Sequence, residues 1–305
     1  VFFFFKDIRR WDVRDRFEET GVIEVWNEIL QSSPATIKFE IELWYRDSQQ
    51  KRNAVQSAIL NILSRYNGYL VRSSIYEEIG FHGLIVECPA QEIQRMLDNH
   101  DHELINADQI MAIRATGQAL SILNIEETTD IEETTDIEET TDSDIIEDIP
   151  LPTNPPVIAL LDGVPLANHT MLRGRIEIND PEDFESDYQA TQRLHGTTMA
   201  SLIIHGDLNN RINPLDSVLY VRPIMKPNAR GEESIPEDRF FVDILHEALR
   251  EIGESSYLNT IRIVNLSIGN SSRPFIYALS PEAKMIDWLS EKYNLLVIVS
   301  SGNCP

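Results

Sequence analysis

The sequence predicts an α/β protein: a doubly wound, mainly parallel sheet over 157–305, preceded by a smaller α+β module over 35–118. Three observations carry this. From residue 157 onward, continuous apolar runs such as "VIALL" and "LLVIVSS" alternate with amphipathic helical stretches, as expected where strands are covered on both faces. Between 35 and 115, period-two strands and 3.6-period helices follow one another in the order β-α-β-β-α-β. Between these regions, 119–156 shows neither period.

Residues 1–34 read as a helical arm ("RRWDVRDRFEE", "VIEVWNEIL") that docks on something else. In "TIKFEIELWY", Ile37, Phe39, Ile41, Leu43 and Tyr45 share one face and Lys38, Glu40 and Glu42 the other, a half-buried strand. Asp47 or Ser48 caps a helix whose stripe is Val55, Ile59, Ile62, Leu63 and Tyr66, with Gly68 as its stop. Strands follow at 69–77 and 82–88. Pro89 then opens a helix with Ile93, Met96 and Leu97 on one side, and a last strand covers 109–115. This is the split βαβ, ferredoxin-like order.

The linker holds three identical hexads, "IEETTD", at 125–142, and four prolines, Pro150, Pro152, Pro155 and Pro156. One Ile in every six residues makes no apolar face, and charge repulsion favours a solvated tether. In the second domain a helix near 196–204 and the strand "SVLYVRPI" follow "VIALL". Next come the helix "RFFVDILHEALREI", the strand "IRIVNLSI", the helix "PEAKMIDWLSEKY" and the strand "LLVIVSS".

The net charge of −24 is half local, because 125–148 holds twelve acidic and no basic residues. Basic runs are short (Arg9-Arg10, Lys51-Arg52), so nucleic acid is not the expected partner. No apolar run reaches the roughly 18 residues of a membrane helix; Phe2 to Phe5 ends at Lys6. Cys88 and Cys304 are too few for a disulfide framework, no signal peptide is visible, and the expected location is cytoplasmic.

Functional groups of doubly wound sheets gather at the carboxyl ends of strands. Asp162 follows "VIALL", Asn303 follows "LLVIVSSG", and His195 begins a helix in "RLHGTTMASLIIHG", where Gly196, Ala200 and Ser201 allow close packing. A carboxylate, an imidazole and an amide donor are the parts of an acyl-transfer site: one orients the base, one moves the proton, one holds an oxyanion. His195 and His205, ten residues apart on a helix, stand about 80° out of line, so no metal pair is expected. His205 reads as a surface or capping residue beyond the helix end. The acidic run Asp180, Glu182, Asp183, Glu185 and Asp187 lacks an EF-hand pattern and reads as a solvated loop rather than a calcium site, so no cofactor is expected.

"IALLDG" around Asp162, "HGTTMAS" from His195, "VNLSIG" at 264–269 and "VIVSSGN" at 297–303, with "VLYVRPI" as a weaker match, together resemble the subtilisin-like serine peptidases over 157–305. The resemblance implies a serine endopeptidase acting on polypeptide, with Asp162 orienting the base, His195 as general base and acid, and Asn303 in the oxyanion hole. It implies further that Ser267, Ile268 and Gly269 pair with substrate backbone and that Ser301 and Gly302 line the specificity pocket. The βαββαβ module then reads as a prodomain-type chaperone and inhibitor, its tail after residue 115 occupying the cleft. Two departures stand out. Gly163 directly follows Asp162 where the family has Ser or Thr, and no Gly-Thr-Ser nucleophile segment occurs in the 305 residues. With Val1 in place of an initiator Met, the chain is read as a fragment whose nucleophilic Ser lies beyond Pro305. The second reading, from another class, is a pseudoprotease or peptide-binding scaffold subunit of a regulated defence-type complex with an AAA-type ATPase partner.

Overall fold

The computed structural model describes residues 9–99, 101–117, 150–207, 213–228, 230–269 and 279–300. The acidic hexads lie outside the described residues, as do Ser301, Gly302, Asn303 and Cys304. By its internal contacts the chain forms two units. The first comprises 1–118 with 235–245 and 270–288, and the second comprises 119–234, 246–269 and 289–305. Among the described residues no helix is long and apolar enough to cross a membrane.

In the first unit, α1 (Val13–Arg16) and α2 (Val22–Gln31) precede β1 (Thr36–Leu43) and α3 (Gln49–Arg65). Then follow β2 (Tyr69–Tyr76), β3 (Phe81–Pro89), α4 (Ala90–Asp98) and β4 (Ile110–Ala115). The strands form an antiparallel sheet in the order β2-β3-β1-β4, so each βαβ pair is split by a third strand, the expected topology. Ser48 caps α3 by accepting from the Lys51 amide. The left-handed residue that ends α3 is Asn67 (φ 56°), not Gly68.

Two expectations change here. The segment read as a docking arm is part of the core: Phe17, Val22 and Trp26 are buried with the apolar residues of β1, β3, α3 and α4. Trp26 meets Phe39 edge-on at 5.2 Å and Phe17 at 5.6 Å. Glu40 and Glu42, placed on a solvent face by alternation, are buried because β1 lies between β3 and β4. Arg114 of β4 compensates, donating to Glu42 Oε2 at 2.5 Å. The first unit also includes residues 238–243. The Asp243 carboxylate, almost fully buried, accepts from Ser74 Oγ at 2.7 Å and the Tyr76 hydroxyl at 2.9 Å, and Phe240 packs edge-on against Phe81.

The second unit holds a parallel sheet in the order β11-β10-β5-β7-β6. Its strands are β5 (Ile158–Asp162), β6 (Ile176–Ile178), β7 (Leu219–Pro223), β10 (Ile263–Leu266) and β11 (Leu296–Val299); β8 (Lys226–Pro227) and β9 (Glu233–Ser234) form a separate hairpin. The helices of this stretch of chain are α5 (Leu194–His205), α6 (Phe241–Glu254) and α7 (Pro281–Tyr293). The alternation read from the sequence is present. Among the described residues it missed short pieces, namely β6, the β8–β9 hairpin and the 3₁₀ turns at Phe184–Asp187 and Ala190–Gln192, which are too brief to show a period. Along α5, Gly196, Ala200 and Ile204 are buried, and Ala200 and Ile204 join Leu160, Leu219 and Val221 in one apolar cluster.

His82 on β3 is fully buried with Nε2 3.2 Å from Gln56 Oε1, and burial, aided by the Arg52 charge, lowers its pKa to about 4. A folded value below the unfolded one means that the unfolded chain binds the extra proton. The resulting stability is complete above about pH 6.5 and lost as pH falls toward 4. Urea titrations should show about 2 kcal/mol of stability lost between pH 7.5 and 5, and a His82→Asn variant should lose that pH dependence. Trp26→Ala should cost about 3–5 kcal/mol by the same measurement, whereas a separately docked arm would show almost no change.

Candidate active site

Asp162 is the last residue of β5, at the carboxyl end of a strand flanked by β10 and β7. Its backbone is pinned: Asp162 is in register with Pro223, and the Ile224 amide donates to the Asp162 carbonyl at 2.8 Å. The side chain is fully buried. Oδ1 accepts from the Gly163 amide at 2.7 Å and from His195 Nδ1 at 2.6 Å, while Oδ2 has no hydrogen-bond partner among the described residues.

His195 is the second residue of α5 and is 8% exposed. The bond to Asp162 requires the proton on Nδ1, which leaves the lone pair on Nε2, the form a general base needs. Burial alone disfavours imidazolium, but the hydrogen bond and charge of Asp162, joined by the charge of Glu233, outweigh it and raise the His195 pKa above the ordinary value. Burial raises the Asp162 pKa as well, opposed by His195 and the Gly163 amide.

The helix start reaches the strand end because both chains are bare at the crossing. A Cβ on Gly196 would lie 2.5 Å from the Gly163 carbonyl oxygen, so any side chain there would push α5 away from the turn after β5. Thr197 adds a tie, its hydroxyl accepting from the Leu166 amide at 2.9 Å. On the other side of the turn, a Cβ on Gly163 would fall 1.8 Å from Glu233 Oε1 and 2.8 Å from the Tyr188 hydroxyl. Gly163 is therefore more than a shortened turn: its missing side chain is replaced by Glu233 of the β8–β9 hairpin. Linear motifs pointed to Asp162 and His195 but not to Glu233 or Tyr188, which stand 71 and 26 residues from Asp162 in the sequence.

The other expected site residues are placed as follows. Ser267, Ile268 and Gly269 directly follow β10; Ile268 is buried, and Ser267 Oγ accepts from the Asn265 amide group at 2.8 Å. Asn303, Ser301 and Gly302 lie outside the described residues, so Asp162 and His195 are the pair brought together among those described. His205, expected past the helix end at the surface, is the last residue of α5 and buried; its Nε2–H donates to the Met171 carbonyl at 2.8 Å, which ties down the loop before β6. In the acidic run, Glu182 pairs with Arg222, Glu185 with Arg193 and Asp187 with Lys226. Among the described residues no group of three acidic, His or Cys side chains could hold a metal ion.

No protein-family model and no curated protein matches this chain. Among solved structures it is similar to the epidermin leader peptide processing serine protease EpiP from Staphylococcus aureus. The likeness to a mutant form has 12% identity, covers 88% of this chain and 61% of that one, and has a TM-score of 0.39. The unmutated protein gives 11% identity, the same coverage and the same TM-score of 0.39. Phospho-2-dehydro-3-deoxyheptonate aldolase from Thermotoga maritima gives 9% identity and a TM-score of 0.19, covering 87% of this chain and 69% of that one. The chain thus spans about 61% of the EpiP length, and at these scores the likeness bears on neither substrate nor mechanism.

The geometry predicts a titration. With Asp162→Asn the largest favourable influence on imidazolium is gone and burial prevails. The His195 midpoint, followed by NMR of its ring carbons, should move from above to below that of an exposed imidazole. An unmoved midpoint would contradict the pairing.

Proposed function

We propose that this chain carries the general-base half of a serine endopeptidase. The observation that supports it is the 2.6 Å bond from His195 Nδ1 to a fully buried Asp162 at the carboxyl end of a central parallel strand. In this reading Asp162 holds the imidazole in the Nδ1–H tautomer, and Nε2 takes the proton of a Ser hydroxyl as it attacks a peptide carbonyl. Nε2 then returns the proton to the leaving amine. Asn303 is the oxyanion donor, and Ser267 to Gly269 align an extended polypeptide by main-chain hydrogen bonds. The nucleophile of this reading is supplied from outside these 305 residues, since no Gly-Thr-Ser segment occurs within them. The split βαβ module, built around its own sheet, acts as the inhibitory and chaperone domain.

The second reading is a peptide-binding scaffold without hydrolysis. The full gene product should discriminate between the two. Under the first reading, a fluorophosphonate probe labels one Ser and an unfolded protein substrate is cleaved. The rate rises with pH through a midpoint above the ordinary imidazole value, because only neutral His195 can accept the proton. Asp162→Asn should lower kcat about 10⁴-fold, and His195→Ala should abolish labelling. Peptide binding with neither labelling nor cleavage would establish the scaffold instead.

A further inference from the structure

Glu233 is absent from any motif in the sequence, yet it lies against the turn that carries Asp162. It is 8% exposed and sits on β9, within the same unit as the Asp162–His195 pair. Its Oε1 occupies the position a Cβ on Gly163 would take, 1.8 Å from that ideal point. The Tyr188 hydroxyl lies 2.8 Å from Oε1 and 3.1 Å from the Met225 carbonyl oxygen, two acceptors for its one proton. Burial and the neighbouring Glu233 charge keep Tyr188 protonated, so it remains a donor. The turn is thus held between α5, where the Gly163 carbonyl packs on Gly196, and a buried Tyr–Glu pair.

A carboxylate is a costly way to fill space in an interior. A methyl group on residue 163 would occupy the position without charge. What the carboxylate adds is a second negative charge beside a pair whose buried aspartate has, among the described residues, no partner for Oδ2.

We propose that Glu233, held by Tyr188, is a positioning residue for the Asp162–His195 pair. Its carboxylate backs the Gly163 turn so that Asp162 Oδ1 meets Nδ1, and its charge favours the protonated imidazole formed during proton transfer. Glu233 acts through Asp162 and His195 rather than on substrate. The catalytic meaning rests on the peptidase reading, but the test needs no proteolysis, so failure of one is distinguishable from failure of the other.

NMR of the full chain, labelled at histidine nitrogen, reads the downfield Nδ1–H resonance of His195 and its titration midpoint. Glu233→Gln keeps the shape and the acceptor for Tyr188; it should retain the resonance and lower the midpoint, since Glu233 is one of the charges that raise it. Gly163→Ala in the native background should displace the carboxylate and weaken the resonance. In a Glu233→Ala background, where the methyl has room, the same change should cost much less, a non-additivity read as a double-mutant cycle. Circular dichroism confirms folding of each variant, and the near-isosteric Gln form keeps the test open should an Ala form unfold. An unmoved midpoint in the Gln variant overturns the proposal, as do strictly additive effects in the cycle.

Discussion

A fully buried carboxylate at the end of a strand is the constraint around which the second unit is arranged. Asp162 lies where no water reaches it, and two donors, the Gly163 amide and His195 Nδ1, compensate one of its oxygens. Removing a charge from water costs more than a single hydrogen bond returns, so such a group is weak evidence for stability and stronger evidence for a built site. The pair exists only because α5 approaches the end of β5 without a side chain between them. Gly196 therefore matters as much to the geometry as the two ionisable residues, and the apolar stripe that continues from it through Ala200 and Ile204 holds the helix at that distance.

Charged groups are also buried in the sheet around this point. Arg222 on β7, beside β5, is 3% exposed and meets Glu182 and Glu251; Asn179 joins Tyr220 to Glu251. Each member has a partner of opposite sign or a hydrogen bond, the condition under which buried charges persist. This network lies on the side of β7 toward β6, whereas Glu233 and Tyr188 approach the turn after β5. Two acidic systems thus flank adjacent strands, one balanced by arginine and the other arranged about a histidine.

In the first unit the sheet is built around aromatic packing. Trp26 bridges Phe17 and Phe39, which draws α2 onto β1 and makes 13–31 inseparable from the βαββαβ module in energetic terms. On β2 the polar residues Ser74 and Tyr76 satisfy the Asp243 carboxylate.

Local grammar is what linear patterns encode here. The longer strands and helices among the described residues between 36 and 115 and between 158 and 299 follow periodicity and capping residues closely, because side-chain period and backbone period are the same quantity. Asp162 and His195 were legible for a related reason: a strand's carboxyl end and a helix's first turn are recognisable places. Tertiary packing alone revealed that the Glu40 and Glu42 face of β1 is buried as well as its apolar face, that Trp26 belongs to the core, that His205 turns inward, and that Glu233 fills the place of a side chain at Gly163. Each of these joins residues far apart in the chain. Such proximity is set by how sheets and helices stack, which no pattern confined to a few neighbouring residues encodes.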